Sequence, residues 1–547
     1  MLESRRKSLV WQSVSRGASR LGRNASGSWV RSEVALRLRR LATLCFSFTL
    51  VLLSAESHAQ LSPFNVGERT QLFVDRVLVR EAIGVAFTLH PARKHPANPL
   101  VKADRPWEGW RALVYGGVLF DKEEGLFKMW YAVPALGYFD KIEDYEYVTC
   151  YATSPDGIRW DKPLLGGLKA KNGEPHNAVA RVEQATVIKE PRDPDPARRY
   201  KMIGWSRDPR GFHTFVSPDG VKWTNESETP IAPLGRPYSD VITGFWDDRT
   251  QQYVAFPKLR HTVRGISRRC FTMMTSPDFK KWTEPQLVFA PDLRDDAGSL
   301  ARIEQVRPML DVPDDPKLVR TVFYGIGAYP AESCTIAFPW MFSINNNARY
   351  GNHEGPGELQ LAASRDLLHW ERHFRTPCVP RGKPGEWDSG FFTTAASAFR
   401  FGDEIRLYYG GSNYTHGTPC LYRAEGTGRL TKYTGSIGLA TWKLDRFVSV
   451  DGPAEGGTLV TIPIRFSGKR LEINAETKRG GSIVVELLDP AGRPLAGFQP
   501  SDPFTGDDLR HTVTFGGHRG VSSLENKPIT LRFTLKSASL YSFAFRN

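Results

Sequence analysis

Ser154-Pro-Asp-Gly-Ile-Arg-Trp160 returns three more times along the chain. It recurs as Ser217-Pro-Asp-Gly-Val-Lys-Trp223, Ser276-Pro-Asp-Phe-Lys-Lys-Trp282 and Ser364-Arg-Asp-Leu-Leu-His-Trp370. Successive copies start 63, 59 and 88 residues apart. Between the copies lie short alternating or aromatic-rich runs bounded by Asp, Gly and Pro, which read as strands rather than helices. A repeat of that length built from strands implies radial repetition of small sheets. In the Ser-x-Asp turn the carboxylate bonds backbone N–H groups of its own turn, and the Trp packs between neighbouring sheets.

Each unit reads as a first strand opening on an acidic residue, an aromatic-rich second strand, a third strand entering the turn and a fourth at the edge. The first strands fall at Leu113–Asp121, Glu183–Glu190, Asp240–Asp247, Glu304–Asp311 and Asp388–Phe401. Five such units make a five-bladed β-propeller, an all-β fold. The segment Val66–Leu89 is expected to supply an outer strand that closes the ring. After Gly452 the spacing changes, and six further strand-like runs predict a β-sandwich. The domain reading is a leader over 1–59, a propeller over 60–453 and a sandwich over 455–547.

The chain has 547 residues, 40% hydrophobic and 24% charged, the profile of an ordinary soluble protein. Leu41–Leu53 is an apolar run behind a basic segment, followed by Ser57-His58-Ala59. This pattern predicts an export signal, and the run is short for a membrane span. The leader's ten Lys and Arg against three Glu account for half of the net charge of +14. The remainder holds no basic tract that would indicate nucleic acid. Cys150, Cys270, Cys334, Cys378 and Cys420 have neither metal-ligand nor CxxC spacing, and in an exported chain one or two disulfides are allowed.

Acidic pairs recur with a spacing of seven: Glu183 with Glu190, Asp240 with Asp247, and Glu304 with Asp311. That even register places the first member of each at one inner position. Carboxylates facing one axis repel, which raises a pKa and holds a proton for acid catalysis. Glycosidic-bond cleavage uses such equipment. The expected catalytic set is Glu304 as acid, Asp240 as the tuning carboxylate, and Glu183 or Asp388 as base or nucleophile. Glu108, Trp107, Trp110, Arg111, Tyr115, Arg307, Trp387, Asn413 and His416 are the expected substrate-binding residues. No motif demands a cofactor or a metal, although clustered carboxylates would accommodate a structural calcium ion. The expected partner is a carbohydrate, with an anionic sugar allowed by the charge.

Leu72-Phe-Val-Asp75, His95-Pro-Ala-Asn-Pro-Leu100, Leu126-Phe-Lys-Met-Trp-Tyr131, the Ser-Pro-Asp-Gly turns, Trp387-Asp-Ser-Gly390 and Gly402–Asn413 with His416 carry a resemblance. The chain resembles secreted bacterial five-bladed propellers of the glycoside hydrolase 32 and 43 type, the broad group of invertases, levanases and arabinan-degrading enzymes. The resemblance implies an exo-acting glycoside hydrolase. Invertase-like enzymes carry an early Trp-Met-Asn-Asp-Pro-Asn motif that is absent here, which argues against fructans and for another plant or algal-type glycan. Their Arg-Asp-Pro motif has a look-alike in Arg207-Asp208-Pro209, expected in a turn between strands two and three of its unit. Two rival readings are a glycoside phosphorylase, which needs basic residues such as Arg111, Arg260 and His416 at the pocket, and a non-catalytic carbohydrate-binding propeller.

Overall fold

The computed structural model describes residues 62–142, 146–232, 238–349, 352–418 and 434–547. The expected leader and Cys420 lie outside them.

Five sheets form the ring among the described residues. Blade one pairs Val118–Asp121, Leu126–Pro134, Tyr147–Ser154 and Ala178–Ala180. Blade two pairs Glu183–Lys189, Tyr200–Arg207, Arg210–Ser217 and Thr224–Asn225. Blade three pairs Tyr238–Asp247, Gln252–Val263, Ile266–Ser276 and Gln286–Phe289. Blade four runs Arg320–Pro330, Thr335–Ile344, then Gly357–Leu359 and Ala362–Ser364. Blade five runs Phe391–Thr394, Glu404–Ser412 and Gly435–Lys443, with Arg93–Lys94 as its outer strand.

The repeated turn has one construction throughout. In blade two, Ser217 donates to the Asp219 carboxylate at 3.0 Å and accepts from Gly220 N–H at 2.9 Å. Asp219 accepts from the N–H groups of Val221 and Lys222, both at 2.9 Å. Partial burial raises the Asp219, Asp278 and Asp366 carboxyls, but the donors of the turn outweigh it, so each sits below the usual carboxylate range. The Trp of the turn reaches the preceding blade: Trp160 meets Tyr408 edge-on at 5.6 Å, Trp223 meets Trp130 at 6.5 Å and Trp370 meets Phe289 at 4.6 Å.

The fourth residue of the turn has a left-handed φ, +76° at Gly157, +78° at Gly220, +66° at Phe279 and +66° at Leu367. Its size answers the preceding blade. Tyr408 and Trp130 lie against Gly157 and Gly220, where a Cβ would come within 2.5 and 2.7 Å of them. Both also donate to the carbonyl of that glycine at 2.7 Å. Ile203 leaves more room, and Phe279 is fully buried in the same cluster. Around the axis the inner strands bond one another directly, as in Gly117 N–H to Ala185 O at 2.9 Å and Ala328 N–H to Ala396 O at 2.9 Å.

Three expectations need correcting. Val66–Leu89 does not close the ring. Phe64–Gly67, Gln71–Leu72, Val79–Ile83 and Ala86–Leu89 all pair with strands of the C-terminal domain, and Phe73 and Leu78 enter its core. Arg93–Lys94 closes the ring instead, pairing with Ala440 and Thr441. The sandwich thus draws on both ends of the chain and begins before 455, since Val448–Gly452 also belongs to it. Its centre is a pair of long strands, Arg470–Leu488 and Thr530–Arg546, whose register shifts between Thr477 and Ser482.

Glu304–Asp311 is not a strand. Asp292 caps a helix over Leu293–Ala297, a second helix covers Ser299–Glu304, and a 3-10 turn covers Arg307–Met309. The inner strand of blade four begins instead at Arg320. Cys150, Cys270, Cys334 and Cys378 are buried free thiols, so the allowed disulfides do not form among them.

Asp219→Ala is expected to lower stability by about 1–2 kcal/mol in urea unfolding at pH 7. Because the folded carboxyl is depressed, the deficit should shrink as the pH falls below the usual carboxylate range.

Candidate functional site

The inner strands of blades two, three and four each carry an irregularity near their start. The register shifts between Glu183 and Thr186, between Tyr238 and Ile242, and between Phe323 and Ile326. Gln184 has φ +58° and Asp240 has φ +30°, conformations costly for side-chain-bearing residues. Such bulges re-aim a side chain out of the alternating pattern. Here they sit beside Glu183, Asp240 and Tyr324, at one mouth of the ring.

Asp240 lies in a pocket of about 250 Å³ together with Trp205, Arg207, Lys258, Arg269 and Tyr324. A larger cavity of about 360 Å³ opens among the far ends of the inner strands, lined by Phe120, Trp246, Phe399 and Lys189 among others. It has no carboxylate in its wall, so the smaller pocket is the candidate for chemistry.

Glu183 is almost fully buried. It accepts from Arg207 Nε at 2.6 Å and from Tyr147 N–H at 3.4 Å. Burial pushes its carboxyl up to about 7; Arg207 opposes this, while Asp240 and Glu146 add to it. Asp240 pairs with Lys258 Nζ at 2.8 Å. Burial raises the Asp240 carboxyl, but Lys258 outweighs it and the group is held below the usual range. The two acids are therefore split, one pushed up to about 7 and one held below the usual carboxylate range. Lys258 is itself brought down to about 8 by burial and by Arg269 and Arg260, against the pull of Asp240.

The other expected residues divide. Arg111 lies 4.2 Å from the Trp110 ring and bonds the Tyr147 hydroxyl, which ties both to the Glu183 side. His416 donates from Nδ1 to His353 O at 2.7 Å and accepts from the Tyr324 hydroxyl at 3.3 Å. Burial and the nearby Arg269 push its ring down to about 3, so it is neutral. Asn413 accepts from Thr434 N–H at 2.8 Å, bracing the loop that carries His416.

Glu304 and Arg307 are not at the axis. Glu304 ends an outer helix, is exposed, and pairs with Arg307 at 2.9 Å. Asp388 bonds Lys94 at 2.6 Å and the Tyr409 hydroxyl at 2.9 Å inside blade five, with the Trp387 ring packed on Tyr409. Glu108 is fully buried and saturated by Tyr131, Lys162 and two backbone N–H groups, while Trp107 bonds Asn177. Tyr115 packs edge-on to Trp340 in the core. These residues hold the fold rather than the pocket.

The carboxylate ring that would have suited calcium does not assemble. Of the expected catalytic acids, Glu183 and Asp240 are the two that act on one another electrostatically, and a cation faces each. Among the described residues no group of three His, Cys, Asp or Glu is arranged to hold a metal ion.

Arg207, Lys258 and Arg269 had not been singled out for the site. Arg207 belongs to the Arg-Asp-Pro look-alike, which occupies the expected turn and yet sends its guanidinium to Glu183. Lys258 and Arg269 lie on the second and third strands of blade three.

No family model matches the chain, and no curated protein sequence matches it. Among solved structures it is similar to a β-1,2-mannobiose phosphorylase from Listeria innocua, with 13% identity, 65% of this chain and 97% of that chain covered, and a TM-score of 0.40. A glycosyl hydrolase from Bacteroides ovatus gives 13% identity, 65% and 94% coverage and a TM-score of 0.40. A glycoside hydrolase family 43 arabinoxylan arabinofuranohydrolase from Bacillus subtilis gives 11%, 84% and 99%, and 0.35. The chemistry assigned to this chain rests on its own residues.

A carboxyl whose folded pKa is raised contributes most stability when protonated, and that contribution is lost as the pH rises through about 7. Glu183→Gln should therefore melt with wild type at pH 5 and above it by a few degrees at pH 8.5. Calorimetric scans across that range read the crossover directly.

Proposed function

We propose that the chain is a glycoside hydrolase acting at the mouth of the propeller on the end of a poly- or oligosaccharide. The observation that carries this is a pair of carboxyls in unlike surroundings: Glu183, buried against Arg207 at 2.6 Å, has its carboxyl pushed up to about 7, and Asp240, bound to Lys258 at 2.8 Å, is held below the usual range. Glu183 donates its proton to the glycosidic oxygen as the bond to the anomeric carbon breaks. Asp240 serves as the base that takes a proton from attacking water, or as the nucleophile. Arg207 orients the acid, and Lys258 keeps Asp240 charged.

A pocket of about 250 Å³ rather than an open cleft favours exo attack on a terminal unit. The cationic lining favours a glycan that carries negative charge. The apolar run Leu41–Leu53 supports export, which would place the enzyme where plant or algal-type glycans are met.

The test is reducing-sugar release from a panel of poly- and oligosaccharides, with and without inorganic phosphate. Glu183→Gln is expected to lower kcat/KM by roughly 10²–10⁴-fold. The wild-type profile should fall on its alkaline side near pH 7. Arg207→Gln should move that limb upward, because Arg207 stabilises the ionised form of Glu183. Full activity in Glu183→Gln would remove it as the acid, and release only with phosphate would make phosphate, not water, the nucleophile.

A further inference from the structure

We propose that Arg260 and Arg269 form a subsite for an oxyanion carried by the sugar itself, a carboxylate or a sulfate, beside Asp240. This rests on the reading of the pocket as a sugar site, and it adds which class of sugar the site selects.

The argument begins with pairing. Asp240 is paired with Lys258 at 2.8 Å, and Arg207 is held by a hydrogen bond to the Glu183 carboxyl at 2.6 Å. Arg260 and Arg269 line the same pocket; among the described residues neither forms an ion pair within 4.0 Å, and Asp240, already bound to Lys258, acts on Arg269 only from farther away. Arg269 is only 4% exposed. Its guanidinium reaches Asn352 Oδ1 at 3.3 Å and His353 Nδ1 at 3.4 Å, and it lies 5.4 Å from the Tyr324 ring. Neutral acceptors and an aromatic face do not replace a counter-ion for a buried charge. Arg260 is exposed and stands at the rim as a second, movable fork.

The surroundings record an excess of positive potential. Burial and then Arg269, Arg320 and Arg260 press the His353 ring down to about 4. Lys258 is lowered although a carboxylate sits 2.8 Å away. An oxyanion at this place would relieve each of these costs, and a neutral hydroxyl would relieve none. Guanidinium forks match the planar oxygens of a carboxylate and the oxygens of a sulfate in paired hydrogen bonds.

Titration calorimetry on the full chain tests this with glucuronate, glucose 6-sulfate, glucose and inorganic phosphate, each in wild type and in Glu183→Gln. Either charged sugar is expected to bind at least tenfold more tightly than glucose, and equally so in Glu183→Gln. Binding therefore stays readable even where hydrolysis fails, and loss of the hydrolase reading is separate from loss of the subsite. Arg269→Met should abolish the preference. Because Arg269 is buried, Arg260→Gln provides a second variant at an exposed position, with an expected loss of threefold or more. Equal affinity for charged and neutral sugars in wild type overturns the proposal. So does an unchanged preference in Arg260→Gln, or inorganic phosphate binding more tightly than both charged sugars.

Discussion

The contact between each turn tryptophan and the blade before it is the interaction on which the ring depends. A four-stranded sheet on its own leaves both faces uncovered. The Ser-x-Asp turn fixes the position from which the Trp crosses to the neighbouring sheet. Complementary sizes complete the joint: Trp130 and Tyr408 stand over glycine, whereas Phe279 fills the space beside the smaller Ile203. The same joint recurs around the axis, and its regularity sets the inner strands at a common height. That common height lets Asp240 and Tyr324 face one pocket, with Glu183 of a third blade behind the Arg207 that lines it.

The pocket departs from the regularity that builds it. Bulges interrupt the three inner strands that border it, and Asp240 takes a backbone conformation that few aspartates adopt. The surrounding barrel of bonded strands holds these local costs. What they give is aim, since an unbroken pleat would send alternate side chains into the inter-blade cores. The electrostatics follow from the same placement. Glu183 is nearly enclosed and its carboxyl rises, whereas Asp240 is partly exposed and bound to Lys258, so the two carboxyls have settled differently.

The repeat made the propeller legible from sequence, because a turn with a fixed hydrogen-bond pattern needs particular residues at particular offsets. Glu183 and Asp240 were legible for the related reason that they open inner strands. Glu304 shared their spacing by coincidence. Its segment belongs to the helix Ser299–Glu304, which follows a first short helix capped by Asp292. Asp388 also stands ahead of an inner strand, yet it turns back to Lys94, whose position in blade five only the closed ring reveals. Lys258 and Arg269 were missed because attention to inner strands passes over the second and third. A signal existed: Lys258 stands in the otherwise apolar run Tyr253–Leu259, where a charge demands a partner. Val66–Leu89 misled because an edge strand looks alike whichever sheet it joins.

The propeller is an insertion within the sandwich. Phe64–Leu89 and Val448–Arg546 together make one sheet system, with the whole ring spliced between them. Its central strand, Thr530–Arg546, follows every blade in chain order. The sandwich therefore stays open, with N-terminal strands lacking their partners, until every blade has been made. Once its final strand docks, the clasp ties the entry and exit of the ring together. Peeling blade one from blade five then requires the sandwich to be torn first. The accessory domain thus acts as the lock on a circular assembly.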